Sequence, residues 1–241
     1  MALNARKIVV RLKSVVPPSV FAFLKTCYYG KFGLSKRRPY ANDYAYQSAY
    51  MKHVPENGII LDLASGHNPF PKATILSDRY LEITKHRRQE ITLDHRPFVI
   101  LDLHHLPFKA KSIDYIYCSH VIEHVENPEQ ACSELMRVGK AGYIETPTLM
   151  KDALFSWAKD LGHKWYLVGF GNRLVFFEYD RRRVEGVRST IWERTVLGDY
   201  YHPNQDLFYP NQDLFNTIFE WQERFDITVF RLAQPQPISL S

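Results

Sequence analysis

The sequence predicts an α/β fold: a doubly wound, mostly parallel sheet with helices on both faces. Three observations lead there. Between residues 58 and 146 short apolar runs alternate with polar or helical links. Most of those runs are continuously apolar, as strands covered on both faces must be, whereas a sandwich strand would alternate. Each run also ends on a polar group, and the carboxyl ends of the strands are where an open parallel sheet presents its ligand crevice.

The expected strands are Ile59 to Leu63, Thr74 to Ser77, Phe98 to Leu103, Ile113 to Cys118 and Gly142 to Glu145. The best-marked helix is NPEQACSELMRVGKAG, with Asn127 as N-cap, Pro128 at the first helical position and Gln130 completing a capping box. Ala131, Leu135 and Val138 give it one apolar stripe for the sheet, and Gly139 or Gly142 ends it. Beyond Pro147 the chain turns aromatic. WYLVGFGNRLVFFEY predicts a hairpin turning at Gly171-Asn172. PNQDLF stands at 203–208 and again at 210–215, which predicts a turn and then a helix through Ile218 and Trp221; Ile227 to Leu232 reads as a last strand. The organisation expected is a basic amphipathic N-terminal segment (1–45), a ligand-binding core (46–150) and an aromatic-rich C-terminal insertion with remaining strands (151–241).

Charge is unevenly spread. The net charge is +5, yet residues 1–42 hold nine Lys or Arg and no acid, leaving 22 basic against 26 acidic residues elsewhere. The first reading of this tail is a pair of amphipathic helices closing over the site. Docking on an anionic membrane surface and an organellar transit peptide are the others. No nucleic-acid partner is expected, because no recognised motif accompanies the charge. No apolar run reaches the about 18 residues of a membrane-spanning helix. Cys27, Cys118 and Cys132 lack C-x-x-C spacing, so reduced structural thiols in a cytoplasmic protein are expected.

The strand ends carry the chemistry: Asp62, Ala64, Ser65 and Gly66 after the first, Asp78 after the second, Asp102 and Leu103 after the third, Ser119 and His120 after the fourth, Thr146 after the fifth. Three carboxylates on separate strands do not converge on a metal, and none is expected. They suit a nucleoside lying across several strand ends. The first loop, ASGHNPFP, keeps one glycine where a dinucleotide fingerprint has three, which disfavours a pyrophosphate ligand.

ILDLASGHNPFPKATILSDRY and RPFVILDLHHLPFKAKSIDYIYCSHVIEHVENPEQACSELMRVGKAGYIETPT, about 59–148, resemble the class I S-adenosylmethionine-dependent methyltransferases, and within them the type 11 methyltransferase domain. The resemblance implies a Rossmann-like sheet and S-adenosylmethionine as cofactor. Asp62, Ala64, Ser65 and Gly66 would surround its methionine part and Asp78 its ribose. Asp102 and Leu103 would flank the adenine, and Ser119 and His120 the reactive methyl group. The loop departs from the family's commoner pattern, since Gly66 is its only glycine. Only twelve residues separate Gly66 from Asp78, with Pro69 and Pro71 between, so the first crossover helix must be very short or absent.

HVIEH also matches the H-x-x-E-H zinc hydrolase pattern through His120, Glu123 and His124. That pattern requires a helix, and little room exists for one between a buried strand and Asn127. For methyl transfer His120 is the first candidate base, followed by His124, Glu123 and His163. The aromatic residues suit a small-molecule, glycan or lipid-linked acceptor, although core packing accounts for them equally. A catalytically inactive, methyltransferase-like binding domain is the alternative function.

Overall fold

The computed structural model describes residues 46–84, 87, 89–154, 162–180 and 212–232. Its strands are β1 (Ile60–Leu63), β2 (Ile75–Asp78), β3 (Phe98–Ile100), β4 (Ile113–Ser119), β5 (Gly139–Pro147), β6 (Trp165–Phe170), β7 (Arg173–Glu178), β8 (Asn216–Gln222) and β9 (Asp226–Phe230). The central sheet runs β3-β2-β1-β4-β5-β8, parallel except for β8. A second sheet, β6-β7-β9, contains the predicted hairpin with its turn at Gly171-Asn172.

Adjacent residues of one strand point to opposite faces, and the sequence fills both with apolar side chains. Ile60, Leu76, Tyr115, Tyr117 and Tyr143 join Phe70 on one face, where Tyr117 stacks on Phe70 at 4.4 Å between ring centroids. Leu61, Leu63, Ile116, Cys118 and Ile144 occupy the other, with residues of the second sheet and of helix α1 (Pro128–Val138). Each fully buried Leu or Ile stabilises the fold by about 1.5–3 kcal/mol.

Helix α1 begins where the sequence predicts. The Asn127 side chain accepts a hydrogen bond from the Gln130 backbone N–H. The capping box is only half formed, because the Asn127 N–H donates to His104 Nε2 at 3.2 Å, while the Gln130 side-chain amide donates to the His104 carbonyl at 3.1 Å. Gly139 ends the helix and opens β5 without a loop, so β5 starts three residues before the expected Gly142. Gly142 has another role. A Cβ there would lie 2.7 Å from the Ile116 carbonyl oxygen and 2.9 Å from the Trp221 ring, so β5 can sit between them only without a side chain.

Three expectations need correction. Ile218 and Trp221 lie on strand β8, and the helix before it is a single turn, α3 (Gln212–Phe215), which follows α2 (Leu149–Leu154) in chain order. Phe219 and Trp221, two residues apart, both turn inward, and pairing with Ile144 and Gly142 outweighs the helix expected from the repeat. β3 stops at Ile100, leaving Asp102 bridged to His105 in a loop. Described residues of the β1–β2 and β2–β3 links form no helix, so winding on that side is by loops. The basic N-terminal segment with Cys27, Trp157, Trp192 and the first PNQDLF copy lie outside the described residues. Cys118 and Cys132 are buried free thiols. No described helix is long and apolar enough to cross a membrane.

Candidate active site

The order of the sheet reverses between β1 and β4, since β1 continues to β2 on one side while β4 continues to β5 on the other. Chain links leave these two strands in opposite directions and open a crevice at their carboxyl ends. Ala64 follows β1 and His120 follows β4, each at φ 57°. A left-handed backbone is costly for residues with a Cβ and concentrates at functional sites. Gly66, at φ 53°, is the one residue of the loop suited to that conformation by type.

The loop after β1 is fastened to β2. The Ser65 N–H donates to the Ser77 carbonyl at 2.7 Å, and the Ser77 hydroxyl to the Asp62 carbonyl at 2.7 Å. Asp62 is 2% exposed and accepts the Phe70 N–H at 2.7 Å. Burial pushes its carboxyl up to about 7; the Phe70 N–H and Arg96 oppose this, while Asp78 adds to it. The Ser65 hydroxyl is buried with no hydrogen-bond partner among the described residues.

Asp78 is buried at the end of β2, with Oδ1 accepting the Tyr80 N–H at 3.0 Å and Oδ2 the Arg87 Nη1 at 2.6 Å. Arg87 also donates to the carbonyls of Tyr80, Leu81, Glu82 and Gln89, tying the following loop around Asp78. Each Asp78 oxygen retains a lone pair for a ligand hydroxyl. Asp102 Oδ1 accepts the backbone N–H of His104 and lies 2.7 Å from its Nδ1, while Oδ2 stands 3.2 Å from Arg79. Leu103 is 7% exposed and belongs to the core.

Beyond β4 the predicted histidines and acids come together. His120 Nδ1 lies 3.6 Å from Glu123 Oε1, and its Nε2 lies 3.4 Å from Glu145 Oε1. The His120 side chain is 41% exposed, whereas both glutamates are buried. Low-dielectric surroundings and Lys151 oppose protonation of His120, but the two carboxylates outweigh them and raise its pKa. Glu145 is itself held: Oε2 accepts hydroxyls of Tyr143 at 2.5 Å and Tyr46 at 3.0 Å, and the Gln47 amide at 3.0 Å. Burial opposes the ionisation of Glu123, yet His120 and the neighbouring imidazoles hold its carboxyl down at about 2.

HVIEH does not form the helix a zinc hydrolase needs. Only Ile122–His124 make one 3₁₀ turn, which excludes His120 from any helical His/Glu/His face. His124 instead meets His163, edge to face at 4.9 Å, and His163 Nδ1 lies 2.6 Å from Asp152 Oδ2.

Sequence reasoning missed Arg87, Glu145 as a partner of His120, and Asp152. Glu145 carried a signal, a lone acid inside the buried run AGYIETP. Arg87 sits in the charged stretch KHRRQ and Asp152 in an unremarkable helix, so neither stood out. Of the aromatic residues beyond Pro147, Trp165, Phe176 and Trp221 fill the core, the reading weighed in the sequence beside an acceptor pocket.

Residues 72–144 match the family model of a methyltransferase domain. The match spans β2, β3, β4, helix α1 and most of β5, and marks this stretch as similar to methyltransferase domains. No curated protein matches the chain. Solved structures are similar to parts of the chain at low identity. An Anabaena variabilis protein described as a methyltransferase from an antibiotic biosynthesis pathway is 14% identical (TM-score 0.39; 49% of this chain and 54% of that one). This chain therefore spans about half its length. A Haloferax volcanii methyltransferase solved with the Trm112 methyltransferase activator is 13% identical (TM-score 0.44; 75% and 88%). A Thermotoga maritima S-adenosylmethionine-dependent methyltransferase is 21% identical (TM-score 0.34; 46% and 52%). The cofactor of the class is S-adenosylmethionine. The site fits such a ligand, with buried hydroxyls of Ser65 and Thr146 at the ends of β1 and β5 that have no hydrogen-bond partner among the described residues.

Proposed function

We propose that the chain transfers a methyl group from S-adenosylmethionine to an O–H or N–H group of a small-molecule, glycan or lipid-linked acceptor, with His120 taking the proton. One observation carries this reading: a half-exposed imidazole stands between two buried carboxylates at the sheet's switch point, on a left-handed backbone. A base fixed this way keeps its orientation without solvent reorganisation.

Asp62, Ala64, Ser65, Gly66, Asp78, Asp102, Leu103, Ser119 and His120 are the residues proposed to hold the cofactor. When bound, its sulfonium supplies a methyl group activated for in-line displacement. Ser65 and Thr146 offer hydroxyls to it, and Asp78 accepts from the ribose. Glu145, immobilised by Tyr143, Tyr46 and Gln47, orients His120 and favours its charged form after proton transfer. Glu123 acts from the other side. At 1% and 4% side-chain exposure Glu123 and His163 are too enclosed to reach an acceptor, which leaves them positioning roles, and His124, 29% exposed beside them, is the next candidate base after His120. A cytoplasmic site of action, with peripheral membrane contact through residues 1–42, is part of the same proposal.

The test is transfer of isotope-labelled methyl from S-adenosylmethionine to a panel of hydroxyl- and amine-bearing small molecules, glycans and lipid-linked sugars. His120→Gln should abolish most of the transfer even at saturating cofactor, a larger loss than any change in cofactor affinity explains. Cofactor binding without transfer to any panel member would favour the inactive-domain reading, and full activity in His120→Gln would remove His120 as the base.

A further inference from the structure

We propose that Glu123, His124 and His163 form a binding site for a divalent transition metal ion, with zinc the ion that best suits two imidazoles and one carboxylate. The chain separates these residues by 39 positions, and the fold gathers them: one ligand atom from each lies within 4.8 Å of the others. The site differs from the H-x-x-E-H pattern because His163, at the entrance to β6, replaces His120. It stands on geometry alone and does not depend on the methyl-transfer proposal.

Second partners orient both imidazoles, as metal-bound histidines require. His163 Nδ1 lies 2.6 Å from Asp152 Oδ2, so its Nε2 remains for a ligand; Asp152 is further fixed by the Tyr179 hydroxyl at 3.1 Å. His124 is hydrogen-bonded to the backbone of Gly162, and its Nε2 is 3.8 Å from Glu123 Oε1. The supporting segments are pinned together. Lys164 N–H donates to the Glu123 carbonyl at 2.9 Å, and Trp165 Nε1 to the Val125 carbonyl at 2.8 Å.

Glu123 supplies the independent sign of a ligand. Its side chain is 1% exposed, and Oε2 has no hydrogen-bond partner among the described residues. A buried carboxylate oxygen left unpaired is costly, and a protonated histidine can serve only the oxygen it faces. A metal ion satisfies one carboxylate and two imidazole lone pairs at once. With metal–nitrogen bonds of about 2.0–2.1 Å, tetrahedral ligand atoms stand roughly 3.4 Å apart, so binding draws the cluster inward by about 1 Å. His124, with 29% of its side chain exposed, marks the side of entry. Three protein ligands leave a fourth position for water.

The test uses the full chain, stripped with chelator. Zinc is titrated calorimetrically, and cobalt(II) is added as a spectroscopic probe. One saturable zinc site and cobalt absorption of a low-coordinate site are expected. Glu123→Gln and His163→Ala should each weaken zinc binding at least 100-fold. Asp152→Asn should weaken it about 10–100-fold, while the outlying His95→Gln leaves it unchanged. Thermal melting checks that each variant folds; should His163→Ala fail, His124→Gln, at the exposed edge, takes its place. Absence of saturable zinc binding, or binding unaltered by Glu123→Gln and His124→Gln, overturns the site. Because the readout is metal binding, failure of methyl transfer and failure of this site are distinguishable.

Discussion

His120, the proposed base, is placed by a strained backbone and two buried carboxylates. Its raised pKa fixes the sign of a pH effect. Base catalysis needs the neutral ring, so kcat should rise with pH through a value above the ordinary 6.5 and fall away below it. His120→Gln should remove that limb and lower kcat by about 10²–10⁴-fold; a pH–rate profile of both proteins checks this. Asp62 gives the second residue-scale prediction. Its folded-state pKa of about 7 exceeds the model-peptide value, so the folded state binds the extra proton and stability falls as pH rises from about 4 to 7. Asp62→Asn keeps an acceptor for the Phe70 N–H and loses the charge. Its melting temperature should be flatter over that range and higher than wild type at pH 8.

At the scale of elements, local signals were legible wherever the chain itself specified the conformation. Asn127-Pro128 located the start of α1, and Asn127→Ala should cost about 1 kcal/mol in urea unfolding through loss of the cap. Pro69 and Pro71 correctly predicted a helix-free first crossover. Ala64, by contrast, gave no sign of its left-handed backbone. Ala64→Gly relieves that strain and should stabilise the protein by about 1 kcal/mol in the same assay. Failures came where partners distant in sequence decide. β8 is a strand because Trp221 packs over Gly142, and the single-turn α3 gives way to that pairing. Arg87 and Asp152 escaped notice because their roles arise only when Asp78 and His163 are brought beside them.

At the scale of the molecule, the parallel sheet and its switch point were readable because continuous apolar runs ending in polar residues are a property of the whole array. The polar groups at single strand ends were readable one by one, and the grouping of His120 with Glu145 was not. Strand ends appear in sequence order, whereas the His120, Glu123 and Glu145 group needs β4 and β5 laid side by side. One assembly thus joins a ligand crevice at β1 and β4 to a titratable cluster at β4 and β5. The most direct test of this account is calorimetric titration of the full chain and of Asp78→Asn with S-adenosylmethionine. The account predicts one site per chain, weakened in the variant by about 1–3 kcal/mol, the cost of a degraded buried hydrogen-bond set. No binding by the wild type, or equal affinity in the two proteins, would contradict it.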